Sequence, residues 1–596
     1  MGSLPTGNYS PRRHHIRILQ EAMNSSNPRE HLIRSYKRSF NGFVANLAHK
    51  EQQKMATHND VVWVISSTTL KLQTTASWDF MGFPHNAHRN LSVEGDIIIG
   101  VIDTGIWPES KSFDDYGFGA ISKKWKGGCY AGRKNFTCTK KLIGARNYGS
   151  IHSPWDLDGH GTHTASIAAG NIVQNVSFYG IAQGIARGGV PSARIAVYNV
   201  CGDSDCKSED MLASFDDAIA DGVDIITISL GPIKPTPLGK DPVAIGSSHA
   251  SEKGILTYSS WLPFHGKQKG HVYGKTASHH YCDEEQARSC AYQCLDPKLV
   301  RGKIVVCNND NGVIFATEAE ALGSINLDDE AEERYSKVSI LDIASGVDII
   351  AAFSPEGSPS DHKKMDKRHV GYSILSGTSM SCPHATGAAA YVKSINPKWS
   401  SSAIKSALMI TAWQMNSTNT VWGDAEFSYG AGPVDPIKAT NPGLVYETLK
   451  EDYIKFFCGL NYDSPAIRKI FGDKITCSGL LPSKSKDLNY PTMAAKVGKG
   501  KPFSVEFQRT VTNVGLSNST YKAKITKTSQ CDIKMEPSSL IFNALNERQS
   551  FNATIAADGI ETMVSASLEW FDGVHNVRSP IMLYATNETS VESIMY

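Results

Sequence analysis

Three short stretches carry residue types that could share nucleophilic chemistry. Asp103 ends the apolar run of "GDIIIGVIDTG" (95–105), His160 lies in "DLDGHGTHTASIAAG" (156–170), and Ser379 lies in "LSGTSMSCPHATGAAAYVKSI" (375–395). Singly, each has an ordinary structural reading: a turn acid, a loop histidine, a helix N-cap. Together they supply an acid, a base and a nucleophile, each at the end of an element. A serine hydroxyl attacks a carbonyl only when a base takes its proton, and a neutral imidazole is poised for that near pH 7. A carboxylate behind the imidazole would hold its tautomer and stabilise the imidazolium. A helix opening at Ser379 would aim its N–H groups and positive dipole end at a developing oxyanion. Gly161, beside His160, reads as the residue that lets the backbone turn tightly there.

The elements that must position these residues are legible as an α/β pattern. "GDIIIGVIDTG", "ARIAVYNV" (193–200) and "VDIITISLG" (223–231) are apolar runs without alternation, as in strands buried on both faces of a parallel sheet. Between them lie helix signals, "GTHTASIAAG" and "SEDMLASFDDAIADG" (208–222), the second reading as opened by a Ser cap and stopped at a Gly. Alternating strand and helix predicts a doubly wound sheet, whose active residues collect at the strands' carboxyl ends. The Ser379 helix and "SSAIKSALMITAW" close this region. Before it, residues 1–73 mix helix-like pieces ("REHLIRSYKRSF", "AHKEQQKMATH") with a strand-like "VVWVISS". Residues 270–330 are Cys-rich and irregular with one strand, "RGKIVVC", which reads as an insert. From 487 on, short alternating segments such as "FSVEFQRTVTNV" predict an antiparallel sandwich.

Bulk properties narrow the class. The chain has 596 residues, 41% apolar and 20% charged, and a formal net charge of +1, so no global field favours nucleic acid or an anionic membrane. No apolar run reaches the roughly 18–20 residues of a membrane span. The opening "MGSLPTGNYSPRRHHIRIL" lacks the apolar core of a signal peptide. Against that, 12 cysteines include the close groups Cys129/Cys138, Cys201/Cys206, Cys282/Cys290/Cys294 and Cys458/Cys477, and sequons occur at Asn90, Asn135, Asn175, Asn416, Asn518, Asn552 and Asn587. Loop-like Cys pairs with sequons favour an oxidising, secretory compartment. The Cys spacings do not make paired C-x2-C knuckles and the His279–His280 pair has no spaced partner acids, so neither a metal nor another cofactor is expected.

"VIDTGI", "DGHGTHTAS" and "SGTSMSCPHATG" resemble the signature blocks of the subtilisin-like serine proteases, in which acid, base and nucleophile follow in this order. The resemblance covers most of the chain and narrows to the plant subtilases of the cucumisin-like group. It implies a subtilisin-like doubly wound α/β fold and an acyl-enzyme endopeptidase with Asp103, His160 and Ser379 as triad. Ser229, Leu230 and Gly231 ("SLG") resemble the segment that pairs with substrate backbone as an added strand. "RSYKRSFNGFVANL" and "TTASWDFMGF" resemble the end of an inhibitory propeptide and the start of the mature enzyme, with self-cleavage near Thr74 or Thr75. "CLDPKLVRGKIVVC" resembles an inserted protease-associated domain, and "DLNYPTM" with "RTVTNVG" a fibronectin III-like domain. The implied layout is a truncated α+β propeptide (1–73), a catalytic domain in two parts (74–269 and 331–445), the insert (270–330), a linker (446–486) and the C-terminal sandwich (487–596). Protein or peptide substrates, the chain's own propeptide as intramolecular inhibitor, and a secreted, extracellular location (apoplast or cell wall) follow from the same resemblance.

The sequence also departs from that pattern. The family's Asn that donates to the oxyanion, besides the Ser379 backbone N–H, is not found. After "GIL" the chain reads "TYSSWLPFHGKQKG", and Pro263 falls near the expected place. A core strand after Ser260, a block before "ASGVDIIAAFSP" and the start of the propeptide read as deleted. A non-catalytic homologue that binds peptides in the cleft is therefore the rival reading, favoured by these losses and opposed by the intact triad. Cys382 as a nucleophile is the weaker reading, since it sits within the Ser379 helix as a small apolar residue would. One lost oxyanion donor costs about 10²–10³ in kcat, and each large side chain deprived of its partner strand forgoes about 1.5–3 kcal/mol. The expected outcome is a marginally stable, slow enzyme; a monodisperse product with ordinary peptidase turnover would contradict it.

Overall fold

The computed structural model describes residues 10–23, 27–36, 42–56, 58, 60–61, 64, 77–130, 132, 136–150, 152–202, 205–231, 240–260, 272–273, 282, 286, 294–296, 304–307, 323–326, 344–360, 366–415, 430–459, 462, 464–471, 477, 485–526 and 530–586. The chain divides into two units, Met1–Leu72 and Gln73–Tyr596.

In the first unit a helix, Pro11–Ala22, carries Pro at its first position, where the missing N–H costs nothing. Strands β1 (Leu32–Tyr36) and β2 (Gly42–Ala45) pair antiparallel, followed by the helix His49–Ala56. Ile18, Leu19, Ala22, Met23 and Met55 form the small core. Among its described residues, the stretch "REHLIRSYKRSF", expected to be helical, is so where it overlaps the short helix Pro28–His31, and its Leu-Ile-Arg-Ser-Tyr portion is β1. A strand partner across Phe43 and Val44 outweighs the helical tendency of its charged residues. Most of "VVWVISS" lies outside the described residues.

The second unit is organised by a parallel sheet of β3 (Ile98–Asp103), β4 (Leu142–Asn147), β7 (Arg194–Asn199), β8 (Ile225–Ile228) and β9 (Leu256–Ser259), in the order β4-β7-β3-β8-β9. β3 is central and every one of its residues is buried. It runs in register with β7 from Ile98↔Arg194 to Asp103↔Asn199 and with β8 from Ile99↔Ile225 to Ile102↔Ile228. Alternate residues supply the two faces. Ile99, Val101, Ile195, Val197 and Ile225 pack against the His160 helix (His160–Ala169) and the Ser379 helix (Thr378–Ile395). Ile98, Ile102, Ala196, Tyr198, Ile226 and Ile228 pack against helices Ser208–Asp221 and Pro242–Glu252. The first of these two helices begins at Ser208 itself, with Lys207 at the N-cap position, so Ser208 is not the cap; Gly222, at φ 86°, ends it as expected.

Two antiparallel hairpins flank the sheet: β5 (Val173–Phe178) with β6 (Ile181–Ala186), and β13 (Ile349–Ala352) with β14 (Tyr372–Leu375). In the Cys-rich stretch the described residues include a parallel trio, β10 (Val272–Tyr273), β11 (Ile304–Cys307) and β12 (Gly323–Asn326), and the disulfide Cys282–Cys294. Disulfides also join Cys129–Cys138, Cys201–Cys206 and Cys458–Cys477. Residues 446–486, expected as a linker, hold two helices instead, Lys450–Gly459 and Ser464–Phe471, whose Ile454, Phe456, Phe457, Ile467 and Ile470 share a core with Met409 and Ala412. The C-terminal sandwich is built from β15 (Leu444–Val445), β16 (Met493–Gly498), β17 (Phe503–Asn513), β18 (Ser519–Thr526), β19 (Asp532–Glu536), β20 (Ser539–Phe542), β21 (Arg548–Ala557), β22 (Val564–Phe571) and β23 (Asn576–Thr586), as sheets β15-β17-β21-β19 and β16-β23-β22-β18-β20 around Phe507, Phe551 and Trp570. No described helix is long and apolar enough to cross a membrane.

The Ser379 helix meets its neighbours closely because small residues let backbones approach: a Cβ on Gly387 would lie 3.1 Å from the Ala168 carbonyl oxygen of the His160 helix and 3.0 Å from the Gly189 Cα in the segment before β7. A Cβ on Gly189 would lie 2.5 Å from the Trp78 ring and 2.7 Å from the Gly387 Cα. Backbone cannot yield as a side chain can, so Gly189→Ala is expected to destabilise the unit by about 1–3 kcal/mol. Gly119→Ala, whose Cβ meets nothing within 4 Å, should stay within about 0.5 kcal/mol of the parent. Thermal unfolding of the two variants measures the difference.

Candidate active site

Asp103 is the last residue of β3, at the carboxyl edge of the sheet, with no exposed surface. A buried carboxylate is tolerable only if its oxygens are taken up. Oδ1 accepts from His160 Nδ1 at 2.7 Å and from the Thr104 N–H at 2.8 Å, and Oδ2 accepts from the Thr164 hydroxyl at 3.0 Å. A carboxylate without its own proton only accepts, so Nδ1 carries a proton, and Nε2 has a lone pair for other work whenever the ring is neutral. The His160 side chain is 23% exposed.

The backbone around His160 depends on two glycines with different tasks. Gly159, at φ +103°, occupies the N-cap position in the left-handed region, and a Cβ there would strike the Phe353 ring at 2.2 Å. Gly161, expected to provide the tight turn, is instead inside the helix. A Cβ on it would lie 2.3 Å from the Gly105 carbonyl oxygen, so its part is to let the helix approach the chain after β3.

Asp156 was not singled out from sequence. It is fully buried and accepts from the N–H groups of Asp158 (3.0 Å), Gly159 (2.8 Å) and Thr162 (2.8 Å) and from the hydroxyls of Thr104 (2.9 Å) and Thr162 (2.6 Å). Thr104 Oγ1 in turn accepts from the Gly161 N–H at 2.8 Å. Asp156 thereby ties the segment after Asp103 to the first turn of the His160 helix. The signal for it was present as an Asp three residues before a turn glycine, a pattern in which the carboxylate bonds backbone ahead of it.

Ser379 is the second residue of its helix, which opens at Thr378; Gly377 holds the N-cap position with no side-chain cap, so the hydroxyl of Ser379 is not a cap. Pro383 lies four residues on and has no N–H, which deprives the Ser379 carbonyl of its helical donor. Ser229 replaces that donor: its hydroxyl donates to the Ser379 carbonyl at 2.9 Å. In return the Ser379 hydroxyl donates to the Ser229 carbonyl at 3.3 Å, turned to Ser229 rather than to His160. That is long for an O–H···O bond and therefore readily exchanged. The backbone N–H groups of Thr378 and Ser379 have no acceptor among the described residues. Ser229, Leu230 and Gly231 continue β8 beyond its last pair, with no strand partner among the described residues; Leu230 is half-buried against the second core face and Gly231 is exposed.

Neighbouring groups are committed elsewhere. His163 is buried, with Nε2 donating to the carbonyls of Ile349 (3.1 Å) and Ser373 (3.2 Å), which ties the helix to β13 and β14. Burial pulls its pKa down to about 3. Cys382 is buried against Thr227 and the Tyr258 carbonyl, and burial pushes its thiol up to about 11, which disfavours the reactive thiolate. His384 packs in the helix as expected. Asn171 donates to the Asp114 carbonyl at 2.7 Å and is no free donor. Thr74, Thr75, Pro263, His279 and His280 lie outside the described residues.

Burial opposes the charged form of His160. The Asp103 charge and hydrogen bond, with Asp158 and Asp156 behind, outweigh it and raise the pKa from 6.5 to about 9. Because the folded value is the higher one, the stability from the imidazolium–carboxylate pair is complete below about pH 6.5 and is lost as pH rises through about 9. In a Ser379→Ala chain, ring NMR of His160 is expected to show a midpoint well above 6.5, and Asp103→Asn should lower it. A ring titrating at 6.5 or below in the parent would contradict this.

Comparison with known proteins identifies the modules of the chain. Residues 94–432 match the model of the subtilase family, residues 3–73 that of peptidase inhibitor I9, and residues 487–583 that of a fibronectin type-III domain. The chain is 44% identical to subtilisin-like protease SBT4.4 of Arabidopsis thaliana over 703 aligned positions, covering 98% of this chain and 95% of that protein. It is 43% identical to SBT4.13 of the same plant, with the same coverage, and 44% identical to SBT4.12. The SBT4.4 alignment is 107 positions longer than the 596 residues of this chain, so internal gaps of at least that total run through this sequence. With the inhibitor, protease and fibronectin modules in that order and this identity over nearly its whole length, the chain belongs to the subtilase family.

Proposed function

We propose that the chain is a serine endopeptidase that works through Asp103, His160 and Ser379. One observation carries the reading: a fully buried Asp103 holds His160 Nδ1 at 2.7 Å, on the sheet edge against which the Ser379 helix packs. In this reading Ser379 Oγ leaves the Ser229 carbonyl, passes its proton to His160 Nε2 and attacks the peptide carbonyl. Asp103 stabilises the imidazolium, which then protonates the leaving amine. The unengaged Ser379 N–H, at the start of an 18-residue helix, is the donor present for the oxyanion. Ser229, Leu230 and Gly231 offer substrate backbone a strand edge that has no partner among the described residues.

The finer layout belongs to the same proposal: a propeptide over 1–73 released near Thr74 or Thr75, the insert at 270–330 as a protease-associated module, and a fibronectin III-like sandwich over 487–596. A secreted glycoprotein is supported by the four disulfides among the described residues and by exposed sequon residues Asn175 and Asn518. The internal gaps favour a slower enzyme than its relatives, and set a second reading, a peptide-binding homologue, against the first.

A fluorophosphonate probe separates the two. The expected result is covalent labelling that is lost in Ser379→Ala and that falls about 10⁴-fold in rate in Asp103→Asn. An unlabelled, folded chain would establish the binding homologue instead.

A further inference from the structure

Ser77 lies two or three residues beyond the processing site expected at Thr74 or Thr75, yet it is bonded into the nucleophile's helix. It opens a short turn, Ser77–Phe80, and its carbonyl accepts from the Ser345 hydroxyl at 3.2 Å. Trp78 beside it is 3% exposed. The indole N–H donates to the Arg187 carbonyl at 3.2 Å, and the ring centroid lies 4.7 Å from that of His384 and 5.6 Å from that of Phe83. Gly189 and Gly387 leave the space the indole fills.

His384 is the joint between this segment and Ser379. It has no exposed surface and lies five residues after Ser379 in the same helix. Its Nδ1 faces the Met380 carbonyl at 2.8 Å, and a carbonyl only accepts, so Nδ1 carries the proton. Nε2 is then an acceptor, and the Ser77 hydroxyl at 2.9 Å donates to it. Burial keeps the ring neutral, with its pKa down at about 4. The bonds thus run from the Ser77 hydroxyl through the imidazole to the carbonyl of the residue next to Ser379. This matters because Pro383 has already removed a rung from the first turn. The turn is held from outside by Ser229 on the Ser379 carbonyl, and by His384 of the same helix on the Met380 carbonyl, with Ser77 bonded to the far side of that ring.

We infer that Ser77 is a positioning residue for Ser379, acting through His384 and Met380. The segment that processing leaves at the new N-terminus is thereby a working part of the active site. The inference rests on the serine-protease reading above. It also requires processing to stop short of Ser77.

The test uses the full chain with Ser77→Ala, and with Ser77→Val and Ser77→Thr, two residues of equal shape that differ by the hydroxyl. kcat and KM on a fluorogenic peptide, the rate of fluorophosphonate labelling and the thermal midpoint are measured together. A misplaced nucleophile typically costs up to about 10²-fold, so Ser77→Ala and Ser77→Val are expected to lose about 10- to 100-fold in kcat and in labelling rate with KM nearly unchanged. Ser77→Thr should recover most of both. If Ser77→Val and Ser77→Thr match in kcat, or if only the thermal midpoint moves, Ser77 is structural and the inference is overturned. A folded parent that never labels at Ser379 overturns the serine-protease reading, and this inference with it.

Discussion

A carboxylate with no contact with water holds an imidazole at 2.7 Å, and much of the catalytic unit serves to make that arrangement stable. Burying an ionised group costs several kcal/mol unless its lone pairs are taken up. Thr104, Thr164 and His160 take up those of Asp103. Their own positions depend on the central strand, on a helix close enough to reach, and on Asp156, which clamps the intervening turn with five hydrogen bonds. The closeness has a steric condition, because any side chain at Gly161 would run into the Gly105 carbonyl. The small residues of this motif are thus the geometric requirement for a charge to sit at the end of a strand.

The nucleophile's side of the site solves a different problem. Pro383 opens the first turn of the Ser379 helix by removing a donor, and the freed carbonyl is satisfied by Ser229. Ser229 also begins the segment after β8 that has no strand partner among the described residues. Nucleophile and strand edge therefore share a pair of hydrogen bonds, 2.9 and 3.3 Å long. The longer one turns the Ser379 hydroxyl to Ser229 and not to His160, so on the proposed reading a modest rearrangement at Ser229 would both free the hydroxyl and adjust the strand edge. Catalytic hydrogen bonds are commonly loose before substrate arrives, and this pair gives that looseness a specific cause.

Sequence reasoning reached the parts of this structure that are written as local chemistry. The apolar strands at 98–103, 194–199 and 225–228 read as doubly buried because they lack alternation, and they are so. Residue types at element ends brought out Asp103, His160 and Ser379. What escaped was set by tertiary contacts. Gly161 looks like a turn glycine until its distance to Gly105 is known. Asp156 looks like any turn acid until Thr104 is brought beside it. Leu32–Tyr36 looks helical among charged neighbours until β2 offers it a partner, and residues 450–471 look like linker until Met409 and Ala412 provide a core. The coupling of Ser77 to His384 joins positions 307 residues apart, which no spacing rule could relate.

The gaps relative to SBT4.4 bear unequally on the two halves of the chemistry. The elements that hold the three chemical groups are among the described residues and are tied together by hydrogen bonds: β3, the His160 helix, the β13–β14 pair gripped by His163, the Ser379 helix and the Ser77 anchor. The sheet, in contrast, has β9 at its edge among the described residues, with Ser260 still donating to the Ile228 carbonyl before the chain moves on. The side-chain donor to the oxyanion was expected just past that point. On the proposed serine-protease reading, proton transfer and attack would draw on the first set of elements and charge stabilisation on the edge. On the same reading, a missing side-chain donor would raise the barrier to the tetrahedral intermediate and leave the Asp103–His160 pair as it is.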